Sequence, residues 1–192
     1  MVTPMATPLM EADVLSAWLA KAAPHPDLAA DVWRLRPTLP RRLHCGVVFD
    51  VVLCHRILVE AAYRILAGYE QPLGPALILP QLDAGAILVP RGTDARWPEL
   101  IAATQWPERV SRPACLGNGH AIQVPAPAPA SASSVGWLQE PEVSDEFPPH
   151  LTSPVPLARC LAEARAEVQQ RPEHRGRAHR VRSVLPGSWR TR

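Results

Sequence analysis

The run Gly46–Cys54, GVVFDVVLC, carries one acid, Asp50, at its centre. A carboxylate inside an apolar strand costs on the order of several kcal/mol unless it is solvated, paired or bound to a cation. Asp50 is therefore the residue whose type and place ask for a chemical reason. Strand alternation puts it on one face with Val48, Val52 and Cys54, opposite Val47, Phe49, Val51 and Leu53. Two readings fit. Asp50 is a lone metal or nucleotide ligand on an open sheet face and the candidate catalytic acid, or it is a carboxylate solvated there or paired with an Arg. Structural ion pairs perturb acids as active sites do.

Other residues invite chemistry and are weighed the same way. His44, Cys45, Cys54 and His55 resemble a zinc set in type only. Cys45 and Cys54 lie nine positions apart, roughly 30 Å in a continuous strand at about 3.3 Å per residue, and on opposite faces. No CxxC knuckle is present, so no metal site is expected. Gly117-Asn118-Gly119 has the makings of an amide nest for phosphate, but Asn-Gly is also the commonest hairpin turn. Arg91-Gly92-Thr93 precedes a predicted helix, where Arg91 and the helix N-terminus offer a phosphate contact, although most helices have a cap and few bind anything. No nucleophile elbow, P-loop or dinucleotide fingerprint occurs.

Charge is unevenly spread over the 192 residues. Nineteen Arg stand against a single Lys, Lys21, a compositional bias rather than a functional signal. Segment 171–192 holds seven Arg against one acid, Glu173, for a net +6, while residues 1–170 hold 13 basic and 17 acidic groups, for −4. Arg171, Arg175, Arg177, Arg180 and Arg182 are accordingly candidate contacts to nucleic acid or another acidic partner, with Trp189 the one aromatic among them. The plain alternative is a solvated, disordered end. Six Trp at 18, 33, 97, 106, 137 and 189 keep no fixed period and are expected as core anchors, not base-stacking platforms. No apolar run reaches the roughly 18 residues of a membrane span, and Glu11 and Asp13 interrupt the N-terminal apolar stretch. A cytoplasmic protein with four reduced cysteines and no membrane partner is expected.

The elements that must position these residues follow from periodicity and punctuation. Residues 1–8 are expected to fray. Pro8–Ala23 reads as a helix ended by Pro24 and Pro26, with a helical turn at 27–35 and an extended 36–42. Strand 46–54, helix 57–69, strand 75–79, strand 86–89, a helix from Thr93 or Asp94 to about 104, and strands 113–116 and 120–124 around Gly117–Gly119 come next. This order predicts an α+β fold of split βαβ, ferredoxin-like type, an antiparallel sheet with helices on one face and the other face left for a ligand or another layer. The expected units are a helical segment 1–35, an α+β core 36–124, a Pro/Ala/Ser-rich linker 125–154 with a short strand at 135–138, a helix within 155–170, and a disordered Arg-rich tail 171–192.

GVVFDVV, the following helix, LGPALILP, AILVPRGT and CLGNGHAIQVP with a later Trp-Leu resemble short actinobacterial proteins related to the bifunctional DNA primase/polymerase N-terminal domain, over residues 33–160. The resemblance implies an RRM-like sheet and association with DNA or nucleotides. Active members of that family hold divalent metal and phosphates with an acid-x-acid pair on a core strand and a nearby His. Here Val48 and Val52 flank Asp50 at the pairing positions, and Asp83 and Asp94 fall in turns, where they are not expected to share its strand face. Two-metal phosphoryl transfer needs several converging carboxylates. The resemblance thus implies a degenerate member without polymerase catalysis, and a Mg cofactor only where catalysis is retained. The residues leave open whether the chain is an enzyme. The alternatives are a protein-interaction module with no nucleic-acid role, and a nucleotidyl enzyme whose second acid comes from outside the strand.

Overall fold

In the computed structural model, which describes residues 8–37, 39–107, 111–127, 135–142 and 148–170, two helices come first, α1 (Pro8–Ala20) and α2 (Pro26–Leu35). Pro26 opens α2, where its fixed φ suits a first helical turn and its missing N–H costs nothing. The chain continues as β1 (Arg41–His44), β2 (Asp50–His55), α3 (Arg56–Gly68), β3 (Ala76–Leu79), a single 3-10 turn at Pro80–Leu82, β4 (Ala84–Val89) and α4 (Thr93–Ala102). Then follow β5 (Ala114–Leu116), β6 (Ala121–Val124), β7 (Gly136–Gln139) and α5 (Pro154–Gln170).

The fold is α+β. One antiparallel sheet has the order β5-β2-β4-β3-β7, and a second, two-stranded antiparallel sheet joins β1 to β6. Helix α3 carries the chain from β2 over β4 to β3, and α4 carries it from β4 over β2 to β5. Each helical connection steps over one strand, the interlocked order expected of the βαββαβ pattern. Strand β4, AGAILV, is buried along its whole length, as a central strand between two covered faces must be.

Those faces carry separate cores. Val52, Ala76, Ile87 and Val89 meet α3, α4 and α5, with Leu58, Leu66, Trp97, Ile101, Leu157 and Leu161. Val51, Leu77, Ala86 and Leu88 point the other way, into Trp18, Leu19, Trp33, Leu43, Phe49, Ile122 and Val124. The second face is thus covered by a further layer, α1, α2 and the β1–β6 sheet. Helices α1 and α2 contribute to the same core as the sheet, and four of the expected Trp anchors, Trp18, Trp33, Trp97 and Trp106, are buried.

Three local expectations change. The strand begins at Asp50, because Gly46 turns the chain at φ +81° and a Cβ there would meet the Asn118 amide at 2.7 Å. Gly117–Gly119 does not join a hairpin: β5 pairs with β2 and β6 with β1, so the turn passes the chain from one sheet to the other. The extended segment before Cys45 finds a partner in β6 and becomes β1. The tie between α3, β3 and the entry to α5 is polar and buried. The Tyr63 hydroxyl donates to the Gly74 carbonyl at 2.8 Å and lies 3.1 Å from Thr152 Oγ1, which accepts the Gly74 amide at 3.0 Å. Residues 1–7 of the expected frayed end, stretch 128–134 of the linker and the Arg-rich segment 171–192 lie outside the described residues. Among the described residues, no helix is long and apolar enough to cross a membrane.

Candidate functional site

Strand β2 starts with Asp50 on the face toward the helices, opposite Val89 of β4. Its exposure is 0%. The position is set by α4. That helix is entered through Gly92, in the left-handed region at φ +81°, which has no side chain to cap with. Thr93 is buried and donates its hydroxyl to the Pro90 carbonyl at 2.5 Å. No side chain of the segment entering the helix caps it. Instead Asp50 reaches across from the strand, and its Oδ2 accepts the Asp94 amide at 3.0 Å. A carboxylate at a helix N-terminus satisfies an orphan amide and opposes the helix dipole.

The second oxygen, Oδ1, is buried without a hydrogen-bond partner. Burial pushes the Asp50 carboxyl above its ordinary value. The Asp94 amide pulls it back, the Asp94 carboxylate raises it through repulsion and a carboxyl–carboxyl contact, and the Gly92 amide lowers it. Asp94 therefore stands beside Asp50 without sharing its strand face. The first turn of α4 brings it there from outside the strand. Gly117 makes room, since a Cβ at that position would collide with the Asp94 carboxylate.

Two thiols share the neighbourhood. Burial pushes Cys45 up to about 11, with the Asp50 charge adding to it. Burial pushes Cys115 up to about 12, with the charges of Asp50, Asp94 and Cys45 adding. Both stay protonated at neutral pH, so neither is a ready thiolate nucleophile. Cys45, Cys54, Cys115 and Cys160 are all free thiols.

The Mg ion that the primase/polymerase resemblance implies does not fit these residues. Mg takes ionised, accessible oxygens and keeps several waters. Asp50 is sealed, one oxygen already holds an amide, and burial favours its protonated form. Among the described residues, no group of three or more His, Cys, Asp or Glu is placed to hold a metal ion. His44, Cys45, Cys54 and His55 form no such group among the described residues. Arg91 is exposed on the turn before Gly92, but the Asp94 amide beside it is already taken by Asp50. The tail candidates Arg171, Arg175, Arg177, Arg180 and Arg182 lie outside the described residues.

The far end of β2 differs in access. His55 Nε2 lies 3.0 Å from Asp83 Oδ2, with both side chains more than half exposed. His55 Nδ1 accepts the Ile57 amide at 3.3 Å and so caps α3. Both ring nitrogens are thus engaged, Nε2 with a carboxylate and Nδ1 with a helix amide. Sequence reasoning missed the cap from Asp50 to α4. Its only signal was a Gly, a residue without a capping group, just before a predicted helix.

No family model, no curated protein and no solved structure matches this chain.

Proposed function

We propose that this chain is a non-catalytic, primase/polymerase-like module on an RRM-like sheet, which associates with DNA or nucleotides through its Arg-rich segment 171–192. The observation that supports it is the commitment of Asp50. The one acid of the core strand is sealed and capping α4, and both sheet faces are covered, so among the described residues the body offers neither a metal centre nor an open sheet to a polyanion. The segment directly after α5, with its net +6, is the strongest remaining electrostatic partner for phosphates.

Binding of a fluorescent single-stranded oligonucleotide to the full chain and to residues 1–170, at low and moderate salt, tests this. The expected result is binding by the full chain that weakens steeply with salt and is lost on truncation. Binding that survives truncation would move the site to the body. No binding by either form would leave a second reading, a protein-interaction module without nucleic-acid role, which the −4 charge of residues 1–170 favours. A Mg titration guards against retained chemistry: metal-dependent nucleotide binding that disappears in Asp50→Asn would overturn the non-catalytic reading.

A further inference from the structure

An open cleft of about 600 Å³ lies where β2 ends, between the sheet and the α3–α5 pair. That volume is within the roughly 300–1,000 Å³ of small-molecule clefts. Leu53, Ile57, Leu58 and Val168 supply apolar wall, and Arg112 and Arg165 supply two cations. Cys54 also lines it, but burial pushes its thiol up to about 12, so it stays protonated and offers no covalent attachment.

Arg165 is the informative residue. It comes from α5, between Leu161 and Val168 of the helix's core-facing side. Its guanidinium carbon lies 5.6 Å from the centre of the Trp106 ring, which fixes the head against an aromatic face. Its Nε is buried and has no hydrogen-bond partner. An orphaned, buried, charge-bearing donor is uncommon, because the group gives up water and gains nothing in return.

Four of the described acids are already engaged. Glu60 pairs with Arg56, Glu167 with Arg64, Asp83 with His55, and Glu163 accepts the Tyr69 hydroxyl. Among the described residues, neither Arg112 nor Arg165 has an acid partner. Two cations without an acid partner among the described residues line one cleft beside an apolar wall, and that pairing calls for a partner both anionic and apolar.

We propose that this cleft binds a small amphipathic organic anion, with a carboxylate head on Arg165 and Arg112 and a hydrocarbon body against Leu53, Ile57, Leu58 and Val168. Asp50 is not among the residues that line the cleft. Binding is non-covalent, and specificity comes from an anionic head joined to an apolar tail.

Octanoate is the probe, with 1-octanol as its uncharged counterpart, titrated calorimetrically into the full chain and into the Arg112→Ala and Arg165→Met variants. Saturable binding of one octanoate per chain is expected, at least tenfold tighter than octanol and weakened at least tenfold in either variant. Arg112 is exposed, so its replacement leaves the fold intact even if loss of the Arg165 head disturbs packing on Trp106. Failure of octanoate to saturate the full chain, equal affinity for octanoate and octanol, or an affinity unchanged in Arg112→Ala and Arg165→Met would each overturn the proposal.

Discussion

The two ends of strand β2 hold the residues that look most chemical, and the fold treats them in opposite ways. At the first residue, Asp50 is fully buried beneath the N-terminus of α4, with an amide on one oxygen and a second carboxylate beside it. At the last, His55 is an exposed side chain paired with exposed Asp83, next to an open cleft. An acid in an apolar strand suggested a ligand-binding carboxylate, yet burial and a helix cap explain it. The open cleft lies at the other end of the strand, beside His55 and Asp83. Residue type proposes chemistry, and solvent access together with the partner of each polar atom decides whether it is used.

That contrast is broken most severely by placing the same change at both ends. Asp50→Lys puts an uncompensated cation against the α4 N-terminus and is expected to cost about 3–5 kcal/mol, whereas Asp83→Lys stays within about 1 kcal/mol because its surroundings are solvated. Urea unfolding followed by tryptophan fluorescence reads both, and equal losses would erase the distinction. Gly85 pairs with Cys54 near the open end, and a Cβ there would stand 2.6 Å from Val59 Cγ2 of α3. Gly85→Ala is expected to lose about 1–3 kcal/mol by overpacking, with part of it recovered in Gly85→Ala/Val59→Ala. Recovery shows that the helix packs as tightly over this end as over the other.

Asp50→Asn sharpens the comparison through pH. The amide side chain keeps an oxygen for the Asp94 N–H and removes the charge, so at acid pH the variant is expected within about 1 kcal/mol of the parent. The folded-state pKa of Asp50 is raised above its ordinary 3.8, chiefly by burial. Its contribution is therefore fully present below the unfolded-state pKa and is lost as pH rises through the folded-state value. The stability of the parent relative to Asp50→Asn should fall from acid toward neutral pH in paired urea titrations, and a gap that grows the other way would mean an ionised, well-solvated carboxylate. The smallest effect is His55→Ala, expected below about 1 kcal/mol because it removes an exposed pair and one long capping bond. A larger loss in thermal unfolding would make the open end structural as well.

Much of the fold is legible along the chain. The β2–α3–β3–β4–α4–β5 succession follows from apolar periodicity and from Pro and Gly punctuation, all of which are local. Less of the candidate site is legible. Asp50 is conspicuous, but its meeting with Asp94 spans 44 positions and depends on how α4 returns over the sheet. Arg165 reads as an ordinary charge on a helix until Trp106 lies beneath it. The separation of β5 from β6 is equally hidden, since Gly117-Asn118-Gly119 carries the local signature of a hairpin and the choice went to partners elsewhere, β2 and β1.

By itself the sequence determined the α+β class, the central order of strands and helices, four of the six expected Trp anchors and the segregation of positive charge into 171–192, because each depends on neighbouring residues or on composition. Only the tertiary structure decided that the second sheet face is covered, that Asp50 caps α4 and that Arg112 and Arg165 share a cleft at the end of β2. The physical reason is that burial, capping across elements and charge pairing are properties of atoms distant in sequence, and they take a value only when the layers close on one another.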